Sequence, residues 1–414
     1  MSNDTRPEIR FPGFTEDWEE RKFFDNIKST IDFRGRTPKK LGMDWSTSGY
    51  LALSALNVKN GYIDPSADAH YGDQELYNKW MSGKELYEGQ VLFTTEAPMG
   101  NVAQVPDNNK YILSQRTIAF DVNSDKITDD FLAVLLRSPK SFNELSSLAS
   151  GGTAKGVSQK SLSQFKVTLP NNLEEQKKIG TFFKQLDDTI ALHQRKLDLL
   201  KETKKGFLQK MFPKNGAKVP EIRFPGFTGD WEQRKLGDVL SERNDQTPET
   251  NEYPLMSFVQ GKGVTPKGER YNRSFLVKDS EKKYKKTELG DFIYSSNNLE
   301  TGSIGFNRTG KAVISPVYSI FKSKKSRESQ FIGIMSVRKD FISKMVRFRQ
   351  GVVYGQWRIH ESDFLNIDTK MPNDKEQQLI ISFFENIDKT IALHQRKLDL
   401  LKETKKGFLQ KMFV

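Results

Sequence analysis

The sequence TIALHQRKLDLLKETKKGFLQKMF occupies residues 189–212, and the same 24 letters return unchanged at residues 390–413. A shorter repeat lies upstream in each half of the chain, because PEIRFPGFT at Pro7–Thr15 occurs again at Pro220–Thr228. We call these two short stretches the first and second cap segments. Repeats in the same order indicate that one structural unit is built twice. The chain is therefore expected to contain a pseudo-two-fold internal repeat.

Two long inserts separate the repeats, at about residues 25–170 and 238–371, and they share few letters. Both contain short runs rich in β-branched and aromatic residues, separated by glycine, asparagine and proline, which is typical of strands joined by turns. Each also has one shorter helical candidate, Asp129–Arg137 in the first insert and Gln330–Lys344 in the second. A constant frame with different inserts predicts two α+β domains of one fold that present different recognition surfaces.

The repeated stretch lies in a long amphipathic helix in each half. Its seam residues recur with alternating spacings of four and three, which is the heptad pattern of a coiled coil. The seam comprises Ile179, Phe183, Leu186, Ile190, His193, Leu197 and Leu200 in the first copy, and Ile380, Phe384, Ile387, Ile391, His394, Leu398 and Leu401 in the second. Each helix of about 40 residues would be ~60 Å long and needs a packing partner. We expect the two helices to pair with each other in antiparallel orientation.

His193 and His394 interrupt the apolar seam. A histidine in such a position is either a polar residue that fixes helix register or a metal-binding or pH-sensitive group. The chain has four histidines and no pair of them at metal-binding spacing. The structural interpretation is therefore favoured for both.

Each long helix is expected to begin just after a proline. Pro170 and Pro372 end strand-like runs, and the polar pairs Asn171–Asn172 and Asn373–Asp374 follow them as cap candidates. Asparagine is preferred at helix N-caps, because its side chain accepts hydrogen bonds from the first helical amides. The two junctions between insert and helix are therefore predicted to be alike.

The composition limits the class of protein. Cysteine is absent, which excludes disulfides and thiolate metal sites. Apolar runs fall short of the roughly 18 residues of a membrane-spanning helix, and the N-terminus has no signal-peptide stretch, so we expect a cytoplasmic protein. The net charge of +12 is uneven, since residues 1–170 carry −2 and residues 213–371 carry +9. A basic surface favours a polyanion such as DNA, although charge can also serve solubility alone.

Catalytic motifs are missing from the sequence. The chain contains no GxxxxGK[ST] phosphate loop, no GxGxxG after a strand and no Asn-Pro-Pro-Tyr motif of amino-methyltransferases. We therefore expect no catalysis by this chain. The remaining enzymatic alternative is a nuclease built from scattered carboxylates and a lysine.

Basic, amide and aromatic side chains in the loops are the candidate DNA contacts, because arginine pairs with guanine edges and asparagine or glutamine with adenine. The candidates are Arg34, Arg36, Lys39, Lys40, Gln115, Arg116, Lys155 and Gln159 in the first insert, and Lys262, Lys267, Arg270, Asn297, Asn298, Tyr354, Gln356 and Arg358 in the second. The alternative for each is a solvated loop residue without a base contact. The loops at 151–156 and 351–355 precede the last strand of each insert and are the preferred candidates.

The chain resembles the specificity subunit of type I restriction–modification systems. The resemblance covers the whole chain and rests on the two-fold arrangement of different inserts and repeated helices, together with two local motifs. PGFTxDWE occurs at Pro12–Glu19 and Pro225–Glu232, and the helices begin with EQKKI at Glu175–Ile179 and EQQLI at Glu376–Ile380. The resemblance implies two target recognition domains, each of which reads one half of a bipartite DNA site.

The resemblance also implies partners and cofactors. The long helices would set the spacer between the half-sites and dock two methyltransferase subunits, which use S-adenosylmethionine to methylate adenine N6. Restriction subunits would join them and use ATP and Mg²⁺ to translocate and cut DNA. The chain itself would be a non-catalytic, DNA-binding protein of phage defence, with no cofactor or metal of its own.

The resulting domain prediction has four segments. They are residues 1–170 for the first cap segment and target recognition domain, 171–212 for the central helix, 213–371 for the second cap segment and recognition domain, and 372–414 for the C-terminal helix. The alternative from another functional class is a coiled-coil scaffold that binds proteins, without sequence-specific DNA binding.

Overall fold

The structure is a computed structural model in which two compact units share the chain. It describes residues 5–149, 156–214, 216–259, 262–266, 282–352 and 356–414. Unit 1 consists of Met1–Arg195 and Arg396–Val414, and unit 2 consists of Lys196–Gln395. Unit 2 is therefore continuous in sequence, whereas unit 1 is assembled from two distant parts of the chain. Each unit contains one cap segment, one insert and a part of both repeated helices.

Short strands and helices form the insert of unit 1 and lead into the first long helix. The elements are β1 (Glu19–Lys22), β2 (Ile27–Asp32), β3 (Tyr50–Leu53), β4 (Val58–Lys59), β5 (Tyr62–Ile63), β6 (Tyr71–Gly72), α1 (Gln74–Met81), β7 (Val91–Thr94), β8 (Val102–Gln104), β9 (Ile112–Leu113), β10 (Thr117–Val122), α2 (Asp129–Arg137), α3 (Pro139–Leu148), α4 (Gln159–Gln164), β11 (Lys166–Leu169) and α5 (Leu173–Lys210). Single 3₁₀ turns cover Phe23–Asn26 and Lys39–Leu41.

The insert of unit 2 has a similar series of elements and leads into the second long helix. The elements are β12 (Glu232–Lys235), α6 (Leu236–Val239), β13 (Leu240–Glu242), β14 (Gln246–Thr247), β15 (Met256–Val259), β16 (Gly263–Pro266), β17 (Tyr284–Thr287), β18 (Phe292–Tyr294), β19 (Ile304–Phe306), β20 (Ala312–Ile314), β21 (Ser319–Ser323), α7 (Glu328–Met335), α8 (Lys339–Val346), β22 (Gln350–Val352), β23 (Gln356–Arg358), α9 (Glu361–Leu365), β24 (Asp368–Met371) and α10 (Asp374–Lys411).

The two units share one framework of sheets. Strands β2, β10, β7 and β8 form an antiparallel four-stranded sheet in that order, and β13, β21, β18 and β19 form the same sheet in unit 2. An antiparallel pair, β1 with β11 or β12 with β24, closes each insert next to its long helix. The second sheet differs, because β3 and β9 are parallel in unit 1 whereas β14, β17 and β20 are antiparallel. The shared framework confirms the predicted α+β architecture with an internal repeat.

The helical candidates of the inserts have different outcomes. Helix α2 has the predicted bounds, but Gln330–Lys344 is wrong as a single helix, because α7 ends at Met335 and α8 begins at Lys339. Arg338 has an extended backbone, with φ −77° and ψ 141°, and the buried Ser336 hydroxyl donates to the carbonyl of Gly333 at 3.0 Å. Apolar residues continue through this break, so the hydrophobic pattern does not reveal it.

The long helices begin as predicted. The Asn172 side chain accepts a hydrogen bond from the Glu174 amide at 2.9 Å, and Asn373 accepts one from the Glu376 amide at 3.0 Å. Each helix then runs for 38 residues. Within the residues that the structure describes, no helix is both long and apolar enough to cross a membrane.

The repeated helices run antiparallel within each unit. In unit 1, Asp187 of α5 forms an ion pair with Lys405 of α10, and Phe182 packs edge to face on Phe408 with ring centroids 5.0 Å apart. Since residue numbers rise on one helix as they fall on the other, the two segments have opposite directions. The seam residues Ile179 and Phe183 are 1% and 0% exposed and contribute to the core of this unit.

Unit 2 contains the equivalent helix contacts. Lys204 of α5 pairs with Asp388 of α10 at 2.5 Å, and Phe207 packs edge to face on Phe383 at 4.9 Å. Among the other seam residues, Leu197, Ile380, Phe384 and Leu398 are buried, and Leu186, Ile190, His193, Leu200, Ile387, Ile391, His394 and Leu401 are partly exposed. The helix pairing predicted from the heptad pattern is therefore present in each unit.

An arginine from the insert joins each helix pair, but from a different element. Arg137 at the end of α2 donates to Asp187 at 2.6 Å, so this carboxylate holds both Arg137 and Lys405. Burial and the charge of Arg137 lower the pKa of Lys405, and Asp187 opposes both effects. In unit 2, Arg308 from the loop after β19 donates to Asp388 at 2.5 Å. The repeated aspartate therefore fastens each insert to the helices.

Each cap segment holds the start of one long helix. Arg10 donates two hydrogen bonds to the carboxylate of Glu175, at 2.6 and 2.7 Å, in the first turn of α5. The Glu175 side chain is fully buried, and the Trp18 indole also donates to it at 3.4 Å. In unit 2, Arg223 makes the same pair of bonds to Glu376, both at 2.7 Å. The two cap segments therefore have the same function in the fold.

Each cap segment also contacts the end of the other long helix. The Ile9 amide donates to the Lys411 carbonyl at 3.0 Å, and the Ile222 amide donates to the Lys210 carbonyl at 3.0 Å. In unit 1, Trp18, which lies just after the cap segment, packs edge to face on Phe413 with ring centroids 6.0 Å apart. The cap segment thus links a helix start to a helix end, which explains why cap and helix are repeated together.

We predict that Arg10→Met loosens the start of α5, because it leaves the Glu175 carboxylate buried without a cation. Removal of one partner of a buried ion pair costs about 3–5 kcal/mol. Hydrogen exchange of the amides at residues 173–183, measured by mass spectrometry, should become correspondingly faster. Arg6→Ala is the matched control, because its ion pair with Asp17 is exposed. The double variant Arg10→Met, Glu175→Leu should recover most of the protection of these amides from exchange. If Arg10→Met alone leaves their exchange rates unchanged, the prediction is wrong.

Candidate nucleic-acid interface

Two predicted contacts of unit 1 meet at one carboxylate. Asp32 accepts hydrogen bonds from Arg34 Nε at 2.9 Å and from Gln159 Nε2 at 3.0 Å. Burial raises the pKa of Asp32, but the hydrogen bonds from Arg34 and Gln159 outweigh it and keep the pKa below its usual range. Arg34 also donates to the Val157 carbonyl at 3.3 Å. The charge of Arg34 is therefore balanced within the protein, which limits its attraction for a phosphate.

Three other predicted residues line one cavity. Arg36, Lys39 and Gln115 lie around a cavity of about 230 Å³, together with Trp45 and Trp80. Basic and amide groups beside an aromatic wall are the chemistry with which proteins hold nucleic-acid bases and their phosphates. Two distant parts of the sequence form this cavity. The 3₁₀ turn at Lys39–Leu41 contributes Lys39, and the turn between β9 and β10 contributes Gln115.

Local contacts fix the orientation of Arg36 and Lys40. The Arg36 guanidinium donates to the Trp80 carbonyl and lies 4.4 Å from the ring centroid of Phe33. Lys40 Nζ donates to the Gly35 carbonyl at 2.7 Å. Arg36 is therefore held as part of the cavity wall, whereas Lys40 closes its own turn.

Arg116, another predicted residue of unit 1, lies at a different loop. Arg116 forms an exposed ion pair with Glu96 at 3.0 Å, and Glu96 pairs with Gly156 through a single β-bridge. Lys155, one of the predicted contacts, lies outside the described residues, as do Lys267, Arg270 and Tyr354 in the second insert.

In unit 2, predicted residues gather at the hairpin of β22 and β23. Gln356 and Arg358 flank Trp357 on β23, and all three are exposed. The Trp357 amide donates to the Asn297 side chain at 2.6 Å, so the loop after β18 contacts this strand. Arg358 lies 3.6 Å from the carboxylate of Glu361. Three of the predicted residues therefore share one surface.

Two other predicted residues of unit 2 have different surroundings. Asn298 shapes the loop after β18, because its amide donates to the Ser295 carbonyl and its carbonyl accepts from the Ser303 amide at 2.8 Å. Lys262 is exposed in the turn between β15 and β16. No contact of the described residues joins Lys262 to the hairpin surface.

Two tryptophans and one arginine at these surfaces were not predicted from the sequence. Trp357 is 47% exposed, which is unusual for so large an apolar side chain, and the guanidinium of Arg349 lies 5.6 Å from its ring. Arg349 is held in place by two hydrogen bonds to Glu300, both at 2.7 Å. Trp45 lines the cavity of unit 1. An aromatic residue between Gln356 and Arg358 was the available signal for Trp357.

The surface around Arg116 and Glu96 in unit 1 and the hairpin surface in unit 2 occupy equivalent places in the shared framework. In unit 1, the Val157 amide donates to the Thr95 carbonyl at 2.9 Å. In unit 2, the Ile359 amide donates to the Ser296 hydroxyl at 3.0 Å. Thr95 follows β7 and Ser296 follows β18, the equivalent inner strands of the two four-stranded sheets. Both units therefore place the loop after this strand beside the segment that precedes the final helix of the insert.

Comparisons with known proteins agree with this architecture. Residues 15–202 and 228–403 each match the family described as Type I restriction modification DNA specificity domain. Two relatives from Methanocaldococcus jannaschii are each 24% identical: the type I restriction enzyme MjaVIII specificity subunit, over 426 aligned residues, and the putative type I restriction enzyme MjaX specificity subunit, over 420. These alignments cover 95% of this chain and 91% and 92% of the relatives.

A solved structure has the same fold. It is the crystal structure of a type I restriction–modification system S subunit from M. genitalium, which matches with a TM-score of 0.67 over 99% of both chains at 13% identity. The family matches cover most of the sequence, once in each half. The chain therefore belongs to the specificity subunits of type I restriction–modification systems.

Proposed function

We propose that each unit reads one half of a bipartite DNA site. The observation that carries this proposal is that one framework presents different side chains at equivalent places. Unit 1 offers Arg116 and Glu96 beside the segment at Val157, whereas unit 2 offers Asn297 and Trp357 beside the segment at Ile359. Different hydrogen-bonding groups select different bases. Two dissimilar half-sites are therefore expected.

The chain in this proposal recognises DNA in the cytoplasm and catalyses no reaction. Methyltransferase subunits would bind S-adenosylmethionine and modify adenine N6, and restriction subunits would use ATP and Mg²⁺. The net charge of +9 in residues 213–371 supports attraction to DNA phosphates, which is largely independent of sequence. The alternative is a protein-binding scaffold, which the same charge would keep soluble.

The long helices are the proposed docking sites for two methyltransferase subunits. Leu192 and Leu199 of α5 are 58% and 68% exposed, and Leu393 and Leu400 of α10 are 66% and 65% exposed. Exposed apolar side chains that recur on a helix are typical of a surface covered by a partner. Because the two helices carry the same leucines at the same positions of the repeat, we propose one equivalent docking surface on each.

The proposed function is tested by methylation mapping. The chain would be expressed with its methyltransferase partner in a host without such systems, and modified adenines would be located by long-read sequencing. A split motif with a fixed gap is expected. If the complex assembles with S-adenosylmethionine present and no motif is modified, the scaffold alternative gains support.

The first prediction from the proposed function concerns the inserts. Replacing residues 25–170 by the same segment of a relative should change one half of the methylated motif and leave the other half and the gap unchanged, because the second insert is untouched. The mapped motif of the chimera is the measurement. A change in both halves would refute the assignment of one half-site to each unit.

The second prediction concerns the spacer. Seven residues inserted after Glu202 lengthen α5 by about 10 Å and preserve the heptad phase. A second seven-residue insertion between Asp388 and Lys389 restores the pairing of Lys204 with Asp388, because the helices are antiparallel in unit 2. Mapping should give the same bases with a longer gap. An unchanged gap would show that the helices do not set the spacing.

The third prediction concerns docking. The double variant Leu199→Asp, Leu400→Asp places a charge at both proposed surfaces and should abolish co-purification with the methyltransferase subunit. Folding should be preserved, since both side chains are exposed. Leu289→Asp is the matched control, because Leu289 is 66% exposed outside the helices. Assembly of the double variant at the level of the control would exclude these leucines from the contact.

A further inference from the structure

The cavity of unit 1 has a rigid aromatic wall. Trp80 is 1% exposed, and its indole N–H donates to the Leu113 carbonyl at 2.8 Å. Trp45 lies on it with ring centroids 5.6 Å apart and planes tilted by 38°, and His70 lies 5.5 Å from the ring of Trp45. Trp45 is therefore held between two rings while part of its own surface remains accessible beside the cavity.

Three polar side chains around this cavity are uncommitted. Within the described part of the chain, Asp44, Lys39 and Gln115 have no side-chain hydrogen bond or ion pair, although all three line the cavity. Arg36, the other cation of the wall, already donates to the Trp80 carbonyl. The cavity thus offers a carboxylate, an amide and an ammonium group that can all bind a ligand.

The cavity is formed in advance of binding. Its volume of about 230 Å³ far exceeds the ~10–15 Å³ that one water requires. On one side, the Met43 amide donates to the Pro38 carbonyl at 3.0 Å, which closes the turn that carries Lys39. On the other, the Ser114 amide donates to the Leu53 carbonyl at 3.1 Å and supports Gln115. A cavity with fixed walls loses little conformational entropy when a ligand binds.

We infer that this cavity binds one unpaired nucleobase of the DNA, one that carries an exocyclic amino group. The inference rests on the proposed function and deepens it. A concave site cannot reach the edge of a stacked base pair, whereas a base that leaves the stack can enter it. The Trp45 ring can stack on the base, and Lys39 can bind the adjoining phosphate.

The polar groups of the cavity select among bases. An ionised carboxylate only accepts hydrogen bonds, so Asp44 is matched by the amino group of adenine, cytosine or guanine. Gln115 can donate and accept, which suits the ring nitrogen beside such an amino group. Thymine has no amino group, and the donor that it can offer Asp44 is its ring N3–H, which lies between two carbonyl groups. Adenine is therefore expected to bind better than thymine.

Short single-stranded probes test the inference on the full chain assembled with its methyltransferase partner. The affinities of fluorescently labelled pentadeoxyadenylate and pentathymidylate would be compared by anisotropy. The adenine probe should bind more tightly, and Trp45→Ala should weaken it by about 5- to 150-fold, the range that follows from measured base stacking on aromatic side chains. Trp45→Phe should retain most of the affinity. Tyr62→Ala is the matched control, because Tyr62 is exposed in the same unit and does not line the cavity.

A second variant tests base selection without altering the aromatic wall. Asp44→Asn introduces a donor that can reach a thymine carbonyl. The ratio of the affinities for the adenine and thymine probes should therefore decrease. An unchanged preference would overturn the selection by Asp44. Equal affinity of wild type and Trp45→Ala for the adenine probe would overturn base binding by the cavity. If Lys39→Ala weakens binding and Trp45→Ala does not, the site contacts a phosphate only, which also overturns base binding.

The inference and the proposed function fail in different ways. If a split motif is methylated and Trp45→Ala binds the adenine probe as wild type does, base binding by the cavity is rejected and the proposed function stands. Loss of pentadeoxyadenylate binding in Trp45→Ala, without any methylated motif, supports the cavity and rejects half-site recognition.

Discussion

A buried ion pair between the cap segment and the first turn of the long helix organises each unit. Arg10 with Glu175, and Arg223 with Glu376, join residues more than 150 positions apart in sequence. A buried pair of this kind adds little net stability compared with apolar residues of the same shape, but a lone buried charge is costly. We therefore expect the pair to act mainly by disfavouring arrangements in which the cap segment lies elsewhere. The same cap segment hydrogen-bonds the end of the other helix, so one short sequence defines the limits of both helices within a unit.

The aspartates at the helix contacts explain how the inserts diverge on a constant frame. Asp187 and Asp388 are equivalent residues of the repeat, and each pairs with a lysine of the opposite helix. The arginine that completes each cluster comes from the end of α2 in unit 1 but from the loop after β19 in unit 2. In both units the insert supplies a cation at this point, from a helix end in one and from a loop in the other. The fold can thus keep its helices while the recognition surface changes.

The sequence predicts the parts of the fold that depend on local periodicity. The heptad seam, the Asn172 and Asn373 caps and helix α2 follow from spacing and capping preferences that are visible in one stretch of chain. The break between α7 and α8 was not predicted, because the apolar pattern continues across Ser336. The order of the sheet strands was not predicted either, because strand pairing joins distant residues.

The candidate site was harder to predict for the same physical reason. Arg34 was predicted as a DNA contact, but Asp32 balances its charge, and Gln159, distant in sequence, binds the same carboxylate. Trp45 carries no local signal that distinguishes an exposed stacking surface from a core residue, and the local signal for Trp357 is its position between Gln356 and Arg358. Only the three-dimensional arrangement places Trp45 beside Lys39 and Gln115. The identity of the residues that contact bases stays a prediction.

The discontinuity of unit 1 also affects how the protein is synthesised. Unit 2 is continuous, so all of its residues leave the ribosome before Arg396–Val414, which unit 1 requires. Domains of a nascent chain usually fold in order from the N-terminus. Here the insert of unit 1 emerges first, yet Trp18 packs against Phe413, which emerges only after all of unit 2. The part of unit 1 that packs against Arg396–Val414 must therefore keep apolar surface exposed until unit 2 has been synthesised.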